Sequence, residues 1–114
     1  MRTKRLLLAS VFALLLVAAF RREAASQSSL IQQVAPGVYF RVAEPAKRII
    51  ANTGWVLFRD YILVIDANFP WGARAALESI RKTTDKPIRF VFDTHYHGDH
   101  AFGNSVFVDA GATI

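Results

Sequence analysis

All three histidines of this chain fall within six residues, His95-Tyr96-His97-Gly98-Asp99-His100, next to a carboxylate and directly after the apolar run Ile88 to Asp93. Imidazole and carboxylate together suit zinc and similar divalent metals. In an extended segment residues two apart point the same way, so His95 and His97 can grip one ion from one side. A turn at Gly98 would carry Asp99 and His100 to a neighbouring position, where they could hold a second ion or orient water at the first. The competing reading is an exposed turn whose side chains only hydrogen-bond. The chain has no cysteine, so any metal here is held by nitrogen and oxygen alone.

The residues before the loop describe the scaffold that carries it. Val38, Phe40 and Val42 alternate with Tyr39 and Arg41, the pattern of a half-buried strand over 37–42. Pro45, within Glu44 to Lys47, breaks it. Thr53 to Phe58 and Tyr61 to Asp66 are two β-rich runs joined at Arg59-Asp60, which predicts a hairpin with Trp55, Leu57 and Ile62 to Ile65 in the core. Pro70 suits a helix's first turn, and Ala73, Ala76, Leu77 and Ile80 share one helical face. Arg81, Lys82 and Lys86 fit the cation-favouring end of that helix, and Pro87 stops it. Ile88 to Asp93 reads as a strand buried on both faces. Val106 to Val108 and Ala112 to Ile114 read as a further strand pair beginning. The fold class is α/β, with the candidate site at the C-terminal end of a strand, where such folds place their chemistry.

The formal charge of +5 is concentrated at the start of the chain. Arg2, Lys4, Arg5, Arg21 and Arg22 face only Glu23 there, and the body after residue 26 carries about +1, which argues against a nucleic-acid footprint. The basic start leads into the apolar run Leu6 to Phe20. That run matches the core of a signal peptide and is shorter than the roughly 20 residues a membrane-spanning helix needs. Ala24-Ala25-Ser26 supplies small residues for cleavage before Gln27. Residues 1–26 are thus a signal peptide, or an uncleaved signal anchor if Arg21 and Arg22 prevent cleavage, and 27–114 form the exported body. The expected location is periplasmic or secreted, with membrane contact only through such an anchor.

The motif His95-x-His97-x-Asp99-His100, preceded by Asp93-Thr94, resembles the metal motif of the metallo-β-lactamase superfamily. Val64-Ile65-Asp66, closing a hairpin before a helix, resembles that family's first motif, and Pro36-Gly37-Val38-Tyr39 resembles the start of many exported members. The resemblance covers roughly residues 34–114. It implies the first half of a four-layer αβ/βα sandwich, with the chain reading as truncated. It also implies that His95 and His97 ligate a first zinc, that Asp99 and His100 ligate a second, and that Asp66 supports the loop from beneath by hydrogen bonds. The family normally adds two further histidines and a bridging aspartate. No histidine follows His100, and Asp109 lies too near the loop for the bridging role.

The implied activity is hydrolysis of a small ester, thioester or amide by metal-bound hydroxide. Zinc lowers the pKa of its water to about 7, and Asp99, the candidate catalytic residue, orients the nucleophile or the leaving-group proton. His100 argues against the lactamase subclass lacking a histidine there. It is compatible with another lactamase subclass, with glyoxalase II-like thioesterases and with lactonases. A nuclease reading, echoed by His97-Gly98-Asp99-His100-x-Phe102-Gly103, is disfavoured by the leader and the near-neutral body. The alternatives are an iron-dependent oxygenase-type member and a non-catalytic metal-binding fragment. Gly98 is expected to allow the turn, Tyr96 to pack, and Phe69 and Trp71 to pack or to line a site mouth. Deleting residues 1–26 is expected to retain the protein in the cytoplasm, checked by fractionation; continued export would refute the leader.

Overall fold

Period-two patterning around Trp55 organises the sheet. The computed structural model describes residues 30–114; the leader assigned to residues 1–26 lies outside them. In β3 (Thr53–Leu57), Thr53 and Trp55 are buried while Gly54 and Val56 are partly exposed, as alternation across a pleated strand requires. β4 (Ile62–Ile65) pairs antiparallel with β3, placing Val64 opposite Trp55, and both are fully buried. β2 (Val38–Arg41) pairs with the other edge of β3, and the Tyr39 ring stacks on Trp55 at 5.7 Å.

A strand not predicted from the sequence, β1 (Ile31–Ala35), extends this antiparallel run. It turns into β2 at Pro36-Gly37, where Gly37 takes a φ of 75° that glycine adopts without a Cβ clash. Its centre, Gln32 to Val34, is exposed, so no buried face marks it in the sequence.

After β4 the chain crosses through α1 (Pro70–Arg81) to β5 (Ile88–Phe92), which lies parallel to β4 at the end of the order β1-β2-β3-β4-β5. α1 begins at Pro70 as predicted, and its buried face is Gly72, Ala73, Ala76, Ser79 and Ile80. Small residues at 72, 73 and 76 let the helix lie close to the sheet. Trp55, Ile62 and Val64 meet Ala73, Ala76 and Ile80 in one core cluster. The indole of Trp55 donates to Thr83 Oγ1 at 3.1 Å, satisfying its one polar atom where α1 ends. Among the described residues no helix is long and apolar enough to cross a membrane.

Two expectations are corrected. Val106 to Val108, read as a strand, lies within α3 (Asn104–Asp109), which follows the short helix α2 (Gly98–Ala101). Phe107 is fully buried in the core, and packing of that ring onto α1 overrides the β preference of its valine neighbours. Strand pairing starts only at Thr113, which bridges to Phe90 in parallel. β5 is not buried on both faces: Ile88 and Val91 are inside, whereas Phe90 and Phe92 are 38% and 60% exposed. Their partners on β4 are Leu63 and Ile65, so an apolar strip lies on the face opposite the helices.

Replacing Phe107 with Ala is expected to cost about 3–5 kcal/mol of stability, as for other buried aromatic truncations. Urea unfolding checks this, and a loss under about 1 kcal/mol would contradict the packing of α3 on α1.

Candidate metal centre

The connection from β4 to α1 is built from backbone that few residues accept. Asp66 and Asn68 both take a φ of 64°, a left-handed conformation that Asp and Asn tolerate better than most side chains. This conformation brings the Asp66 carboxylate beneath the histidine loop. Its Oδ1 accepts from the Thr94 amide at 2.8 Å and from the Thr94 hydroxyl at 2.9 Å. Its Oδ2 lies 2.9 Å from His100 Nδ1, a pairing distance without good hydrogen-bond alignment. The supporting role expected for Asp66 thus has a physical form.

Main-chain bonds complete the attachment. Ala67 N donates to the carbonyl of His100 at 2.6 Å, and Gly103 N donates to that of Asn68, also at 2.6 Å. Gly103 is required by this approach, because a Cβ there would collide with the Ala67 and Asn68 carbonyl oxygens and with Ala73. Asn68 is 1% exposed; its amide donates to Ala51 O at 2.6 Å and its Oδ1 accepts from Phe69 N at 2.9 Å. The sequence reading missed Asn68, which shows there only as a polar residue between a strand and a helix.

Thr94 also settles a proton. Its hydroxyl has one hydrogen, given to the ionised Asp66 carboxylate, which can only accept. The 3.0 Å contact between Thr94 Oγ1 and His95 Nδ1 must therefore be donated by His95. The lone pair of His95 is left on Nε2, and that atom lies 3.1 Å from His97 Nδ1. A proton on His100 Nδ1, facing Asp66, likewise leaves its Nε2 as the lone-pair nitrogen, 3.5 Å from Asp99 Oδ2. The His95 and His100 ring centroids are 4.0 Å apart. The four predicted residues thus gather as two pairs, His95 with His97 and Asp99 with His100. Among the described residues no group of three or more His, Cys, Asp or Glu side chains is arranged to hold one metal ion.

Gly98, expected to allow the turn, starts α2 directly after the extended His97, and a Cβ there would press into the Phe102 ring at 2.8 Å. Tyr96 is 85% exposed, and its ring meets His97 at 4.8 Å instead of packing inside. Phe69 stacks on Trp71 at 5.0 Å and meets Phe102 edge-on at 6.1 Å. Trp71 remains 46% exposed, its indole donating to Arg48 O at 2.6 Å.

An α/β layer thus presents a His-x-His-x-Asp-His loop above a buried aspartate. The sequence model of the Metallo-beta-lactamase superfamily matches residues 47–113, and the chain belongs to that superfamily. Among solved structures it is similar to a B3 metallo-beta-lactamase described as the first with an active-site glutamic acid. Identity there is 26%, TM-score 0.62, over 74% of this chain and 31% of that one. It is similar to the metallo-beta-lactamase MIM-1 from Novosphingobium pentaromativorans at 29% identity and TM-score 0.52, over 57% of this chain and 25% of that one. A metallo-beta-lactamase from Hirschia baltica shares the fold at 23% identity and TM-score 0.58, over 72% of this chain and 40% of that one. The chain therefore spans about a third of the length of these structures. No curated protein matches it.

Burial pushes the Asp66 carboxyl up, but the Thr94 amide, His100 and the Thr94 hydroxyl outweigh it and hold the group below its ordinary value of 3.8. A depressed carboxylate stabilises the fold above that value and loses its contribution as pH falls through the lowered one. Asp66→Asn is expected to cost about 1.5–3 kcal/mol at neutral pH, the range for a hydrogen bond to a charged group. The deficit should shrink in strongly acidic buffer; unfolding curves showing a constant deficit would contradict this account.

Proposed function

We propose that the protein is a metal-dependent hydrolase, with zinc the favoured metal, acting on a small ester, thioester or amide. In this reading His95 Nε2 and His97 Nδ1 ligate one ion, and Asp99 and His100 Nε2 ligate a second. The observation that carries it is the 3.1 Å approach of His95 Nε2 to His97 Nδ1. Two nitrogens on one tetrahedral zinc, each about 2.0–2.1 Å from the metal, stand roughly 3.3–3.4 Å apart. The pair is thus close to ligand spacing, with the His95 lone pair already directed by Thr94. Membership of the superfamily supports the same reading.

When bound, zinc supplies a water ionised near neutral pH and polarises the substrate carbonyl. The chain's own residues supply position. Thr94 directs the His95 proton to Nδ1, and Asp66 Oδ2 faces His100 Nδ1 at 2.9 Å, so each ring would offer Nε2 to a metal, the arrangement in which second partners orient ligating imidazoles. Asp99, about a third exposed beside His100, would orient the nucleophile or take the leaving-group proton. Among the described residues each proposed ion would have two donors, and no third His, Cys, Asp or Glu side chain joins either pair. Export, on the strength of the leader, is part of the proposal.

Elemental analysis of the full-length protein, purified without added metal, tests this. About two zinc ions per chain are expected, with one lost in His95→Ala/His97→Ala. One iron per chain would favour an oxygenase member, whose nitrogen and oxygen ligands are the same types. Zinc content unchanged by the double substitution would sink the assignment of the first site.

A further inference from the structure

We propose that Asn104 is a positioning residue of the metal loop, acting through Asp93; the inference rests on the metal-site reading above. Asp93 follows β5 directly and lies two residues before His95, while Asn104 opens α3 four residues after His100. Asn104 Nδ2 donates to Asp93 Oδ2 at 2.6 Å. This bond closes the segment that contains all four proposed ligands, joining its entry strand to its exit helix.

The other attachments of the loop are of a different kind. Thr94, His100 and Gly103 are each bonded to the β4–α1 connection, through Asp66, Ala67 and Asn68. Those bonds hang the loop from outside. The Asp93–Asn104 bond is a direct side-chain tie between its two ends. It fixes how far the end of β5, which carries His95 and His97, stands from the start of α3, which follows Asp99 and His100.

Asn104 is the first residue of α3, after its N-cap Gly103, and its side-chain amide reaches back across eleven residues to Asp93. The tie is shielded from solvent, since Asp93 Oδ1 and Asn104 Oδ1 are both buried, so the bond from Asn104 Nδ2 to Asp93 Oδ2 holds the two ends of the loop with little competition from water.

The test compares zinc affinity and the visible spectrum of the cobalt-substituted site in the full-length protein with the melting temperature of its metal-free form. Asn104→Ala is expected to weaken zinc binding on the order of tenfold or more, the usual effect of losing a residue that supports metal ligands, and to alter the cobalt spectrum. The exchange Asp93→Asn/Asn104→Asp restores one donor and one acceptor with their roles reversed. It is expected to return both readouts toward wild type, which a merely stabilising side chain would not explain if the metal-free melting temperatures of the two variants are alike. If Asn104→Ala does not fold, Asn104→Ser takes its place as the milder loss of the amide. Wild-type affinity in the single variant overturns the proposal, and so does an exchange variant as weak as the single one. Wild-type protein that binds no zinc overturns both this inference and the metal-site reading, whereas normal binding in wild type and single variant alike overturns this inference alone.

Discussion

The Asp66 carboxylate, buried beneath the histidine loop, is the interaction on which the site depends. It combines three otherwise unfavourable features: burial, a left-handed backbone and a concentration of acceptor charge. Each is compensated by the loop above it. The Thr94 amide and hydroxyl satisfy one oxygen, and the proton of His100 faces the other. The loop has a location because Asp66 needs donors, and Asp66 can stay ionised inside the protein because the loop supplies them.

This exchange works only because the surrounding elements approach closely. Gly103 lies against the Ala67 and Asn68 carbonyls, and Gly72 lies against the Asn68 side chain. A methyl at either position would separate the β4–α1 turn from the loop's exit or from the first turn of α1. Small residues therefore fix the distances over which the hydrogen bonds of Asp66 and Asn68 operate. Dense packing in the core beneath, with Trp55, Ile80 and Phe107 fully buried, makes that turn a rigid support for the loop.

The large periodic elements were legible in the sequence. Pro70 and the Ala73-Ala76-Ile80 face mark the start and inner face of α1, although the helix ends at Arg81, well before the Pro87 expected to stop it, and the Thr53–Asp66 hairpin is written in two β-rich runs around a charged turn. The His-Asp cluster announces itself by composition. Three features were not legible, for separate reasons. β1 has no buried face to pattern it. α3 carries valines that favour strands, and only contact with α1 decides otherwise. Asn68, Asp93 and Asn104 are ordinary polar residues until the fold brings Ala51, Phe69 and each other within reach, because hydrogen bonds between distant residues leave no periodic trace. Gly98 shows a further limit: a glycine signals a need for space or for unusual backbone, and here the Phe102 ring makes it space.

The division of labour between near and distant residues explains how a loop this short can be prepared for a metal. Thr94 and Asp66 need only the β4–β5 pair to fix the imidazole protons, so the orientation of His95 and His100 is a property of this α/β layer. Complete coordination is not, since among the described residues no three His, Cys, Asp or Glu side chains converge to hold one ion. The same layer leaves Leu63, Ile65, Phe90 and Phe92 as an apolar strip opposite its helices, the kind of face that a sandwich of this superfamily covers with its second sheet. Ligand orientation is therefore local, whereas ligand number and the covering of the sheet are global. Under the proposed metal-site reading, imidazoles oriented in advance by one rigid layer would reduce the ordering that metal binding must impose.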